Sequence, residues 1–336
     1  MTPLIRVGRM GILAVGLSIG AALAATPQIA SADPSADPLA WVDQLVSGLP
    51  VSADAASPLD MQISISGIDL FPTADNTATA TSKFGDVAIA FGDGANATAT
   101  GSFGDLAIAN GTDSTAGAGL GGLFDYAIAH GANSDAAAGV AGNFVIATAD
   151  GDNSTASAGL ESNFDIASAV GTGSKATVGI GGGSDLAVAH GDGSSADAGI
   201  GSHDIASADG TGSTATAAVG NHDLSSAVGG GDATAGGFHS IAFADGVDSD
   251  AQAIGIRDIA AIFNTGSLLD EATSGGNSTF PLAAHDIALI IGTGSTAVAG
   301  SDLTGGGNWD LAAVFGDMLD AHATGANFLF DILPSL

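Results

Sequence analysis

Ten aspartates recur at a near-constant interval along this chain: Asp86, Asp105, Asp125, Asp165, Asp185, Asp204, Asp223, Asp258, Asp286 and Asp310. Val145 and Ser240 take the same place in two further units, giving 12 units related to Asp-x-Ala-x-Ala-x-Gly, most of them 19 or 20 residues apart. Carboxylates in a row suggest two chemistries. Oxygen ligands of this kind suit Ca²⁺, which would make a calcium ladder. Alternatively each carboxylate accepts hydrogen bonds from backbone N–H groups at a turn, as in Asx turns. The glycine-rich nonapeptide of calcium-binding β-rolls is absent, EF-hand loops are absent, and Gly92-Asp93-Gly94-Ala95-Asn96 has the composition without the spacing. The backbone reading is therefore preferred, and no metal ligand set is assigned.

A second column lies just before the aspartates: Phe124, Phe144, Phe164, Ser184, His203, His222, His239, Arg257, His285 and Trp309. Aromatic rings and imidazoles repeated at one corner are expected to stack as a structural ladder. The functional alternative is a divalent metal held by His203, His222 and His239 beside Asp204 and Asp223. Catalytic signatures are missing. No Gly-x-Ser-x-Gly elbow lies beyond the N-terminal apolar run, and neither a Walker A loop nor His-Glu-x-x-His occurs. No catalytic, cofactor-binding or metal residue is nominated, and the chain is read as a non-enzyme without a cofactor.

Which elements hold these columns? Small apolar residues alternate with polar ones over five or six residues before Gly, Asn, Asp and Ser interrupt, which is strand-and-turn punctuation. Most units then carry a second half, Ser-x-Ala-x-Ala-Gly, as in Ser134 to Gly139, Ser154 to Gly159 and Ser194 to Gly199. No unit offers an uninterrupted helical period. One unit is thus one coil, and the expected fold is all-β: a parallel β-solenoid of about 12 coils with a period near 20 residues.

Two residues after each start the sequence has Ala in 11 units and Ser225 in the other; four after, it has Ala in nine, then Ile262, Ile290 and Val314. Strand alternation turns these columns inward, with Ala136 and Ala138 of the second half, while Asp135, Lys175 and Asp197 face water. One column resists this assignment. Val87, Leu106, Tyr126, Ile146, Ile166, Leu186, Ile205, Leu224, Ile241, Ile259, Ile287 and Leu311 immediately follow the start. Either a bend at the aspartate turns them into the core, or they form an exposed apolar stripe used for oligomerisation.

The chain has 336 residues, 52 Gly, no Cys, and 5 Lys+Arg against 36 Asp+Glu, a formal charge of −31. That balance excludes nucleic-acid binding through phosphate contacts, and the missing cysteines exclude disulfides and thiolate metal sites. Residues 1–32 read as a signal peptide. Arg6 and Arg9 precede an apolar run from Gly11 to Ala25, and Ala30-Ser31-Ala32 offers a cleavage site, with Ala24 or Ala25 as earlier alternatives. Residues 33–60 are expected to hold a capping helix over Asp37 to Leu49 and a linker. Residues 61–309 hold the repeats, beginning with an irregular coil over Met61 to Phe71 and interrupted by an insertion at 268–280, read as a loop or small helix. Residues 310–336 form the last coil and a C-terminal cap. No later run is long enough to span a bilayer.

The segments from Tyr126 to Gly139 and from Leu186 to Gly199 resemble head repeats of trimeric autotransporter adhesins. In that family the head is a parallel β-roll that trimerises and binds host matrix or cells. The resemblance covers about Asp86 to Gly300, although the period here, near 20 residues, is longer than the family's. The leader ending Ala30-Ser31-Ala32, followed by Asp33-Pro34, is similar to those of exported mycobacterial and related actinobacterial proteins. The resemblance implies a secreted or cell-surface repeat protein acting in adhesion or host interaction, with a host or envelope ligand. A carbohydrate-active β-helix enzyme and a calcium-stabilised structural module are the alternatives.

Overall fold

The computed structural model describes residues 60–70 and 76–300, apart from 162, 180, 230, 247–248, 264–269, 275–284 and 293–294, together with 310–317, 319–323 and 330–334. The signal peptide, the helix expected over Asp37 to Leu49, and Trp309, Phe328 and Leu329 lie outside the described residues.

Within 57–336 the chain winds into a parallel β-solenoid of two sheets, one of 15 strands and one of 13. Each unit places its first half in the larger (first) sheet and its second half in the smaller (second) one. Tyr126–His130 and Asp135–Val140 illustrate the pattern. About ten turns keep the period near 20, fewer than the 12 units counted in the sequence. Beyond Asp258 the next units still pair in both sheets, but on intervals of 28 and 24 residues.

The strands follow from the two-residue alternation. Strand Ile146–Asp150 has the burial order half-buried, buried, half-buried, buried, half-buried, with Ala147 and Ala149 inward. Pairing is in register, so that Ala147 lies between Ala127 and Ala167 and like residues stack in columns. The interior is almost entirely methyl groups from the two sheets. Larger side chains replace alanine at Val178, in register with Ala198 of the second sheet, and at Ile262, Ile290 and Val314 near the C-terminal end, and all four are buried. Ser225, a polar replacement in the first sheet, donates from Oγ to the carbonyl of Ala233 at 2.6 Å and accepts from the Thr216 N–H at 3.2 Å. Both of its hydrogen-bonding roles are met inside the protein, so burying it carries little penalty.

Between the two strands of a coil the chain turns at Gly-x-x-Ser. Ser134 Oγ donates to the Gly131 carbonyl at 3.1 Å, and Ser114, Ser154, Ser174 and Ser194 repeat the bond. Gly131 has φ +127°, and a side chain there would meet the Gly151 carbonyl of the next coil, so both conformation and inter-coil distance require glycine.

One open alternative is decided and two expectations are revised. The large apolar column after the aspartates points outward; no bend turns it in. Its residues are partly covered all the same, because each packs between its counterparts one strand spacing away, about 4.8 Å. Met61 to Leu70 is a hairpin rather than a coil. Met61–Ile65 and Ile68–Leu70 join through Ser66 and Gly67, both at positive φ as a tight two-residue turn requires, and Met61–Ile65 runs antiparallel to Val87–Phe91. Inside the 268–280 insertion, Asp270–Ser274 is a second-sheet strand with Ala272 between Ala251 and Ala297. The alternation Glu271-Ala-Thr-Ser274 carries that pattern.

Candidate functional site

The aspartate column lies at the corner where each coil enters the first sheet, and its members are 0–1% exposed. Oδ1 of each from Asp86 to Asp286 accepts a hydrogen bond from the backbone N–H at the same place in the next coil. Asp105 N–H donates to Asp86 Oδ1 at 3.1 Å, Asp125 N–H to Asp105 at 2.9 Å, and Asp223 N–H to Asp204 at 3.1 Å. Val145 and Ser240 have no carboxylate to offer the coil after them, but their own N–H groups still donate to Asp125 and Asp223 at 3.0 Å. The expected backbone role is therefore present, but the bond runs between coils rather than within a local turn. Where the aspartate is present, it staples one coil to the next at the corner before the first-sheet strand.

The other oxygen has a different environment. Oδ2 of Asp125 and of Asp223 meets no donor. It rests against glycine: a side chain at Gly122 or Gly139 would collide with Asp125 Oδ2, and one at Gly220 with Asp223 Oδ2. These sockets explain the glycine that closes the second half of the repeat. Burial is the main influence on the carboxyls and pushes Asp125, Asp223 and Asp258 up to about 7 and Asp185 up to about 6. Asp105 and Asp204 are raised for the same reason. The backbone donors act against this rise, and neighbouring carboxyls add to it, as Asp105 does for Asp125. Desolvation disfavours the charged form, so near neutral pH Asp125, Asp223 and Asp258 are each divided between acid and carboxylate.

Outside the carboxyls runs the second column, in left-handed backbone: Phe124 (φ 59°), Phe144 (59°), Phe164 (64°), Ser184 (67°), His203 (63°), His222 (63°), His239 (62°), Arg257 (62°) and His285 (67°). Such a conformation costs a non-glycine residue on the order of 1 kcal/mol or more. Ring stacking offsets part of that cost. Phe124 and Phe144, then Phe144 and Phe164, stack with centroids 5.3 Å apart, and His203, His222 and His239 stack at 5.0 and 4.8 Å. Gly85 and Gly104 hold the same corner in the first two regular coils, where the rings of Phe103 and Phe124 cover them. The histidine rings lie face to face and nearly parallel, a stack rather than a set of nitrogens converging on one tetrahedral ion. Among the described residues no group of three or more His, Asp or Glu is arranged to hold a metal.

The outward surface of the first sheet is the third feature. Besides the column from Val87 to Leu311 it carries Ile89, Ile108, Ile128 and Val188 two residues on, and Phe91, Val170, Val228, Ile291 and Phe315 at the strand ends. Its acids are Asp150, Asp209 and Asp245, and two of them are hydrogen-bonded to histidines one strand away: His130 Nδ1 to Asp150 Oδ1 and His190 Nδ1 to Asp209 Oδ1, each 2.8 Å. These pairs went unnoticed in the sequence, although like columns in adjacent units carried the signal. On the second sheet a shallow depression of about 160 Å³ is lined by Thr98, Gly117, Ala137, Ser157 and neighbours, none of them titratable.

Comparison of the chain with family models, with curated proteins and with solved structures gave no match. Among the described residues no helix is long and apolar enough to cross a membrane.

Proposed function

We propose that this chain is an exported, non-enzymatic repeat protein of the cell surface or envelope, working in adhesion or host interaction. What supports the reading is the way side-chain chemistry is distributed. Each coil repeats the same outward positions, so contact groups recur about every 4.8 Å along both sheets. A partner with a repeating surface can engage many weak sites at once, and avidity then exceeds the affinity of any one contact. The titratable groups gathered most closely, the aspartate column, are sealed from solvent and engaged with backbone. That arrangement serves the scaffold and leaves the outer faces to recognition. The test is to incubate the purified chain with host-cell and extracellular-matrix preparations and to compare attachment by cells with and without the gene. Saturable binding and reduced attachment are expected. No binding and unchanged attachment would remove the adhesive reading.

A further inference from the structure

We propose that the outward face of the first sheet is the contact through which two copies of this chain pair. Between strands Val87–Phe91 and Leu311–Phe315, the position after the start is large and apolar in every strand. Ile166, Ile205, Leu224 and Ile241 on this face are 37–40% exposed. An unbroken apolar column through twelve successive strands is unlike the singly scattered apolar residues of an ordinary solvent-exposed surface.

Area, charge and symmetry each bear on what covers it. Strands of five residues at about 3.3 Å per residue, stacked twelve deep at about 4.8 Å, offer about 950 Å² per copy. Two copies face to face would bury up to about 1,900 Å², within the roughly 1,200–2,000 Å² of stable protein interfaces. The chain carries 36 acids, yet only Asp150, Asp209 and Asp245 point from these strands. Asp150 and Asp209 are hydrogen-bonded to His130 and His190, so two highly acidic copies can approach through this face with little repulsion. No Lys or Arg occupies an outward position of the twelve strands, which leaves nothing to hold anionic lipid headgroups. A second copy supplies an equally apolar face of equal length, and a two-fold axis brings the two together as an isologous pair.

Sedimentation equilibrium on the chain as its host produces it tests this. At about 10 µM, above the Kd expected for a specific dimer, the wild type should show twice the monomer mass. Ile166→Lys with Ile205→Lys should weaken pairing at least about tenfold, even though it lowers the net negative charge. Ile166→Thr with Ile205→Thr, which keeps β-branched residues in the strands, should weaken it less and decides the matter if the lysine variant fails to fold by circular dichroism. Thr155→Lys with Thr177→Lys, on the second sheet, should leave the dimer intact. A wild type that stays monomeric up to about 100 µM would overturn the proposal. So would a dimer indifferent to the first-sheet variants, or a monomer that floats with phosphatidylcholine vesicles.

Discussion

The two sheets share one interior and differ on their outer faces. Inward, both present alanine: Ala147 and Ala149 from the first, Ala156 and Ala158 from the second, each at most 3% exposed. Outward, the first presents Ile146, Ile166 and Leu186, while the second presents Thr155, Lys175 and Ser195 at the matching place in the same coils. The fold needs the alanine, the inter-coil aspartate bond and the glycines. It does not require the outer faces to differ, so their difference reports what each face meets. An apolar ladder on one side and a hydroxyl-rich, acidic one on the other, with Asp135, Asp197, Asp232 and Asp250, suit different neighbours.

Substitutions can break or sharpen that contrast. The interior should respond alike in both sheets: Ala147→Leu and Ala156→Leu each overpack a space built for methyl groups, and each should cost about 1–3 kcal/mol in urea unfolding. Unequal losses would show that the two inner faces are not equivalent. Next in size is the socket. Gly139→Ala places a side chain at φ +66° against Asp125 Oδ2 and should cost about 1–2 kcal/mol, whereas Gly117→Ala, with open space around it, should be near neutral. On the outer faces the effects become smaller and unequal. Ile166→Lys gives up a partly buried side chain and should cost about 1 kcal/mol; Thr155→Lys, on the second sheet, should stay within about 0.5 kcal/mol by the same measurement.

The sequence was most legible where a residue type does one job in every coil. Ala at alternate positions, Gly after the strand and Ser after the turn each have a single physical reason, and each recurs. Legibility failed where a side chain's role depends on the neighbouring coil. The Ile/Leu column looked misplaced because its cover comes from in-register neighbours along the sheet, which no single repeat displays. Asp125 was recognisable as a backbone acceptor, but its donor sits 20 residues away on Val145, and the repeat alone did not identify it. The glycine sockets were equally hidden, since Gly139 reads as a turn residue until Asp125 is seen against it. Met61–Ile65 and Ile68–Leu70 broke the repeat pattern, and the Ser66-Gly67 turn between them was the missed hairpin signal.

The most direct test of the account is the melting temperature of the wild type and of Asp125→Asn with Asp223→Asn across pH 4 to 8. Burial raises these carboxyls to about 7, while in the unfolded chain they return to the ordinary value of 3.8. The stability they contribute is therefore full below the unfolded value and is lost as pH rises through about 7. Asparagine keeps the acceptor for Val145 and Ser240 but cannot ionise. The wild type should melt at progressively lower temperature as pH rises, and the double variant should show a shallower decline. A wild type that becomes more stable toward neutral pH, or a variant whose pH dependence matches it, would contradict the burial-raised carboxyls of Asp125 and Asp223.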